Sequence, residues 1–114
     1  MTRLDAVLAE VKAAIEDYHD KRLIDLVPLE VVRGAAYWHD YSETHDEGSD
    51  LAAIVLLSDG RIAAFEGGTG CYTGWSCQAS LDVTFHTTVE DAWLNGIGTD
   101  SRALIERTEK EDQS

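Results

Sequence analysis

The sequence predicts an α+β domain: a small antiparallel β-sheet of about three strands, covered by an N-terminal amphipathic helix and short C-terminal helices. Three observations point there. Apolar residues recur at helical spacing near the start of the chain, two apolar runs flank Asp59-Gly60, and helix-capping residues follow an alternating run near residue 80. At 114 residues, 44% apolar and 27% charged, the chain has the composition of one globular domain and not of a disordered segment. We place that domain at residues 1–110 and a polar tail at 111–114.

The elements follow in order. Thr2 and Asp5 form a short capping box, and Leu4, Val7, Leu8, Val11, Ile15 and Tyr18 then step by three or four. Leu23 and Leu26 continue the stripe loosely, so the helix is expected to end near Val27, ahead of Pro28. "PLEVVRGAAYWHDY" reads two ways. Pro28 at a first helical position, with Val31, Val32, Ala35 and Trp38 on one side, favours a second helix. Leu29, Val31, Ala35, Tyr37 and Tyr41 at alternate positions suit a strand, with Arg33 as the misfit. The helix is the preferred reading, and "SETHDEGSD" after it reads as a polar loop.

"LAAIVLLSDGRIAAFE" is the clearest element. Asp59-Gly60 suits the positive φ of a tight turn, so Leu51–Leu57 and Arg61–Glu66 should pair antiparallel. Both runs are apolar nearly throughout, which implies cover on both faces, with alanines at 52, 53, 63 and 64 letting a helix approach. "SLDVTFHT" alternates as a third strand near 80–86. Thr87 or Thr88 can cap a helix running to Asn95-Gly96, and a further short helix starts at Thr99 or Asp100.

Charge is distributed unevenly. The net is −13, and residues 34–101 hold eleven acids against the single base Arg61. Such a field repels nucleic acid and anionic membrane and attracts basic partners. No run approaches the ~18 apolar residues of a membrane span, and the first residues carry charges throughout, unlike a signal peptide. The expected location is cytoplasmic, with Cys71 and Cys77 as reduced thiols.

Several chemistries find no support in spacing. "GGTGCYTGWSCQ" has the glycines of a phosphate loop, but neither a lysine nor a following helix. The C-x5-C spacing is not that of a redox pair, and two thiols are half of a structural zinc site. His39, Asp40, Glu43, His45, Asp46, Glu47 and Asp50 could ligate a metal, with His39, His45 and Asp46 as the leading set. Their spacing matches no recognised metal motif. No nucleophile elbow accompanies the histidines. No cofactor is expected.

"HDEGSDLAAIVLLSDGRIAAFEGG", then "YTGWSCQ" and "TVEDAWLNGI", resembles small uncharacterised proteins of actinobacteria and their phages. These share a D-G-R hairpin followed by a Y-T-G-W-x-C-Q segment. The resemblance covers residues 45–107 and implies a phage or mobile-element accessory protein, without assigning an activity. The expectation is therefore a non-enzymatic acidic protein that binds and modulates a host protein with a basic surface, possible modes including nucleic-acid mimicry. Asp40, Glu43, Asp46, Glu47 and Asp50 would steer the partner, and Tyr72 and Trp75 would anchor it. The alternative is a small metal-binding protein or metal-dependent hydrolase using the His39–Asp50 segment.

Overall fold

Four antiparallel strands, β1 (Pro28–Tyr41), β2 (Asp46–Leu57), β3 (Ile62–Cys71) and β4 (Gln78–His86), lie side by side in chain order. Helix α1 (Arg3–Tyr18) covers one face. The other carries α2 (Val89–Asp91), a π-helical segment (Ala92–Gly96) that continues it, and α3 (Thr99–Gln113). This is a computed structural model, and it describes residues 2–18, 25–41, 46–71 and 78–113. For 17, 18, 38–41, 46–49, 69–71, 78–80 and 113 the backbone alone is described.

The α+β class holds, with four strands in place of three. The difference is residues 28–41, which form a strand and not the preferred helix. Two register shifts explain the helix-like spacing: between Pro28 and Glu30, and between Val31 and Arg33, β1 slips against β2. Each slip breaks strict alternation. Val31 thus packs with the α1-side core, while Arg33 and Ala35 turn to the opposite side. A helix here would also leave the outer backbone groups of β2 unpaired inside the domain.

Helix α1 opens on the expected capping box. The Asp5 N–H donates to Thr2 Oγ1 and the Thr2 N–H to Asp5 Oδ2, each at 3.1 Å. These bonds, the backbone one first, hold the Asp5 carboxyl below its ordinary value. The helix spans Arg3–Tyr18, and residues 25–27 are not helical, so it does not reach Val27 as expected.

The hairpin turns where expected. Gly60 has a φ of 89°, its N–H donates to Leu57 O at 3.0 Å, and Leu57 N–H donates to Arg61 O at 2.9 Å. Ser58, Asp59 and Gly60 therefore make a three-residue connection in which the left-handed position falls on glycine. Both strands outrun the apolar core of the hairpin. Residues 46–50, read as loop, belong to β2, and the glycines at 67, 68 and 70 lie in β3. Pairing to neighbours on both sides supplies backbone bonds that composition alone does not announce.

Alternation along β2 and β3 builds two cores. Ala53, Val55, Leu57, Ala63 and Phe65 meet Val7 and Val11 of α1. Ala52, Ile54, Ile62 and Ala64 meet Ala92, Ile97 and Ile105. The expected cover on both faces is thus present, and the alanines divide evenly between them. Gly34 of β1 sits where a Cβ would come within 3.1 Å of Val7, so α1 crosses close to the backbone there.

Helix α3 starts at Thr99, as expected, and is longer than the short helix expected. It runs through residues 111–113, which the sequence suggested as tail. Asp112 in that last turn bonds Arg3 of α1 at 3.4 Å, and Arg3 also donates to Gly34 O on β1. Among the described residues no helix is long and apolar enough to cross a membrane.

Candidate binding cleft

Where α3 begins, it leaves part of the sheet uncovered, and a cleft of about 680 Å³ opens there. Its floor comes from cross-strand register. Ala52 lies opposite Glu66, which lies opposite Asp82, and in the next row Tyr37 pairs Asp50, which pairs Gly68. Asp100, Ser101 and Leu104 form the helical wall, and Arg107 stands one turn further on. Four carboxylates, those of Asp50, Glu66, Asp82 and Asp100, thus line the cleft with one guanidinium. The cleft is negatively charged, and half-exposed Tyr37 gives its floor an aromatic surface.

The helical wall is fixed at several points. Glu66 Oε2 accepts the Gly98 N–H at 2.8 Å and the Ser101 hydroxyl, placing a carboxylate at the positive end of α3. Arg102 donates to the carbonyls of Trp93 at 3.1 Å and Ile97 at 2.8 Å, closing the end of the π-helical segment. Arg33 reaches Glu109 through both Nε (3.2 Å) and Nη2 (2.7 Å), and its guanidinium stacks 3.6 Å from the Trp93 ring centroid. The Glu109 bond raises the Arg33 pKa further. Helix and sheet are thereby held apart at a set spacing around the cleft.

Of the residues expected to bind a partner, Asp50 lines this cleft. Asp40 pairs Glu47 in register and Asp46 pairs Tyr41, so these three carboxylate residues stand on adjacent strands at the same end of the sheet. Glu43, Tyr72 and Trp75 lie outside the described residues. So do His45 and Cys77, while His39 pairs Gly48 and Cys71 ends β3, with backbone described alone. The metal alternative rests on these positions. Among the described residues no group of three or more His, Cys, Asp or Glu could hold a metal ion.

Sequence reasoning missed Glu66, Asp82, Asp100, Tyr37 and Arg107. All but Arg107 belong to the acidic middle of the chain, residues 34–101, and Glu66, Asp82 and Asp100 are among its eleven acids. Extending the hairpin phase by one step, from Ala64 to Glu66, would have placed a carboxylate on the helix-covered face.

A second polar group ties β4 to α2. His86 Nδ1 lies 2.5 Å from Asp91 Oδ2, and Nε2 lies 2.7 Å from Thr84 Oγ1. Asn95 donates to the other Asp91 oxygen at 2.8 Å. These bonds, that from His86 first, hold the Asp91 carboxyl below its ordinary value. Hydroxyl, imidazole and carboxylate stand in the order used for acyl transfer. Here Gly96 lies directly over them: a Cβ on it would be 2.7 Å from Nε2 and 3.1 Å from Thr84 Oγ1. The imidazole acts as a brace between strand and helix.

A scan against protein-family models finds none that matches, and searches of curated proteins and of solved structures return no similar protein.

Proposed function

We propose that the protein is a non-enzymatic acidic binding protein that docks a basic host protein on the face carrying the Glu66 cleft. One observation carries this reading: Asp50, Glu66, Asp82 and Asp100 line a single open cleft in which, among the described residues, Arg107 is the one cationic lining residue. A concave, like-charged surface focuses its field outward and speeds encounter with an opposite charge. Tyr37, 47% exposed on the floor, supplies apolar contact at short range. The chain's net charge of −13 extends the attraction beyond the cleft. In its sharpest form the protein is a phage or mobile-element accessory factor that occupies a nucleic-acid-binding surface of its host target.

The test is kinetic. Capture from an actinobacterial lysate identifies the partner, and association is then measured at low and high salt. Replacing Asp50, Asp82 and Asp100 together by asparagine should slow association and flatten its salt dependence, while Tyr37→Ala should mainly speed dissociation. Binding that is equal at both salt concentrations would overturn the electrostatic reading. Failure of the protein to compete with duplex DNA for the partner would overturn mimicry alone.

A further inference from the structure

The two outer strands of the sheet end differently. Strand β1 begins with Pro28, slips register twice, and has Arg3 bonded to the Gly34 carbonyl. Irregularity, proline and charge of this kind protect a sheet edge from further pairing. Strand β4 has no register slip and no proline, and Asp82 is the one carboxylate along it. Its sequence, QASLDVTFH, also lacks lysine, and it pairs β3 without a shift from Ile62↔His86 to Gly70↔Gln78. Among the described residues, no backbone group outside β3 bonds to Gln78–His86. Among the described residues a row of backbone donors and acceptors therefore faces outward.

The side chains along this edge are sorted by face. Leu81 and Val83, both half-buried, extend the α1-side core, and Phe85 beyond them is 41% exposed. Asp82, on the opposite face, lies beside Glu66 and lines the acidic cleft. Arg61, 4.4 Å from the Phe85 ring centroid, places positive charge at the His86 end and leaves the other end to the carboxylates.

We infer that β4 receives an extended segment of a basic partner protein as an added strand. Lysine or arginine of that segment lies beside Asp82 on the cleft side, alternating with apolar residues beside Leu81 and Val83. Backbone bonds to the edge give affinity, and the two-sided pattern gives selectivity. Charge decides the occupant: a second copy would bring a further −13 and set Asp82 near its own counterpart. The inference rests on the acidic-binding reading and specifies how the partner is held.

A short peptide alternating lysine and valine tests it against the full chain at low salt. The expected result is binding that slows amide exchange along β4. N-methylation of alternate peptide residues in one phase should lower affinity by about tenfold or more, with little effect in the other phase, because alternate amides of an added strand face the sheet. Asp82→Lys should weaken binding similarly while leaving the circular dichroism spectrum unchanged. If an all-lysine peptide binds as tightly and N-methylation in neither phase matters, strand addition is overturned while acidic binding stands. If neither peptide binds at low salt, both readings fall. Slow exchange of the alternate β4 amides that face away from β3 in the free chain, or a dimer that Asp82→Lys dissociates, would show the edge already occupied and overturn the choice of a basic partner.

Discussion

The Glu66 carboxylate on β3 and the Gly98 amide, 32 residues apart, meet at 2.8 Å. Gly98 stands just ahead of α3, and its carbonyl accepts the Arg102 N–H at 3.0 Å. A side chain from the sheet thus anchors the helix end that an N-cap residue ordinarily serves. Glu66→Ala is expected to lower stability by about 1–2 kcal/mol in urea unfolding. Glu66→Gln should cost less, because its amide oxygen still accepts. Wild-type midpoints for both would show that α3 docks without this bond.

Gly60 separates torsion from space. Its φ is 89°, yet a Cβ there would meet nothing within 4 Å. Gly60→Val should therefore destabilise by about 2 kcal/mol through backbone strain alone, and Gly60→Asn by clearly less, since asparagine tolerates the left-handed region. Equal thermal shifts for valine and asparagine would contradict the torsional account.

Gly96 presents the opposite case. A Cβ there would stand 2.6 Å from the Ala64 Cβ, in the sheet, where nothing flexible can yield. Gly96→Ala should cost about 2 kcal/mol or more and perturb the His86 ring resonances. Gly98→Ala, whose nearest contact would be an ordinary 3.4 Å to Glu66 Oε2, should fold with near wild-type stability.

Asp91 gives a pH dependence whose sign is fixed. Its carboxyl is held below the ordinary value by the bonds from His86 and Asn95. A depressed acid stabilises the fold above its unfolded pKa, about 4, and loses that contribution as pH falls through the lower folded value. Acid unfolding of the wild type should accordingly be steeper below about pH 4 than that of Asp91→Asn. Superimposable acid limbs would refute the linkage.

Arg33 should not tolerate lysine. Its two bonds to Glu109 and its stacking on Trp93 both use the planar guanidinium. Arg33→Lys is expected to lose about 1 kcal/mol, most of what Arg33→Ala loses, in chemical denaturation. Full retention of stability by the lysine variant would reduce the interaction to simple charge pairing.

The parts of this fold written in short-range signals were legible: the Thr2–Asp5 box, the Asp59-Gly60 turn, and Thr88, whose Oγ1 accepts the Asp91 N–H at 3.1 Å. Strand β1 was not, because its two register slips give Val31, Val32, Ala35 and Trp38 a spacing that a helix would also give. Only the neighbouring strand's need for a partner decides between them. The acidic character of the cleft-bearing face was legible in the charge imbalance, whereas the cleft itself was not. Glu66 and Asp82 become neighbours through the β3–β4 register, and Asp100 joins them only once α3 has crossed back over the sheet.

The Arg3–Asp112 contact joins positions 109 residues apart, and this gives synthesis on the ribosome a definite order. Because the strands pair in chain order, each hairpin can close as it emerges. The face formed by Ile54, Ile62 and Ala64 nevertheless has only the cover of Ala92 and Ile97 until Ile105 of α3 follows. At usual elongation rates the 15 residues of α3 take about 1–3 s to add, and over that interval the nascent sheet carries a partly covered apolar side. The final helix is thus a latch: α1 can dock early, but Arg3 finds its carboxylate only when the last turn of α3 leaves the exit tunnel.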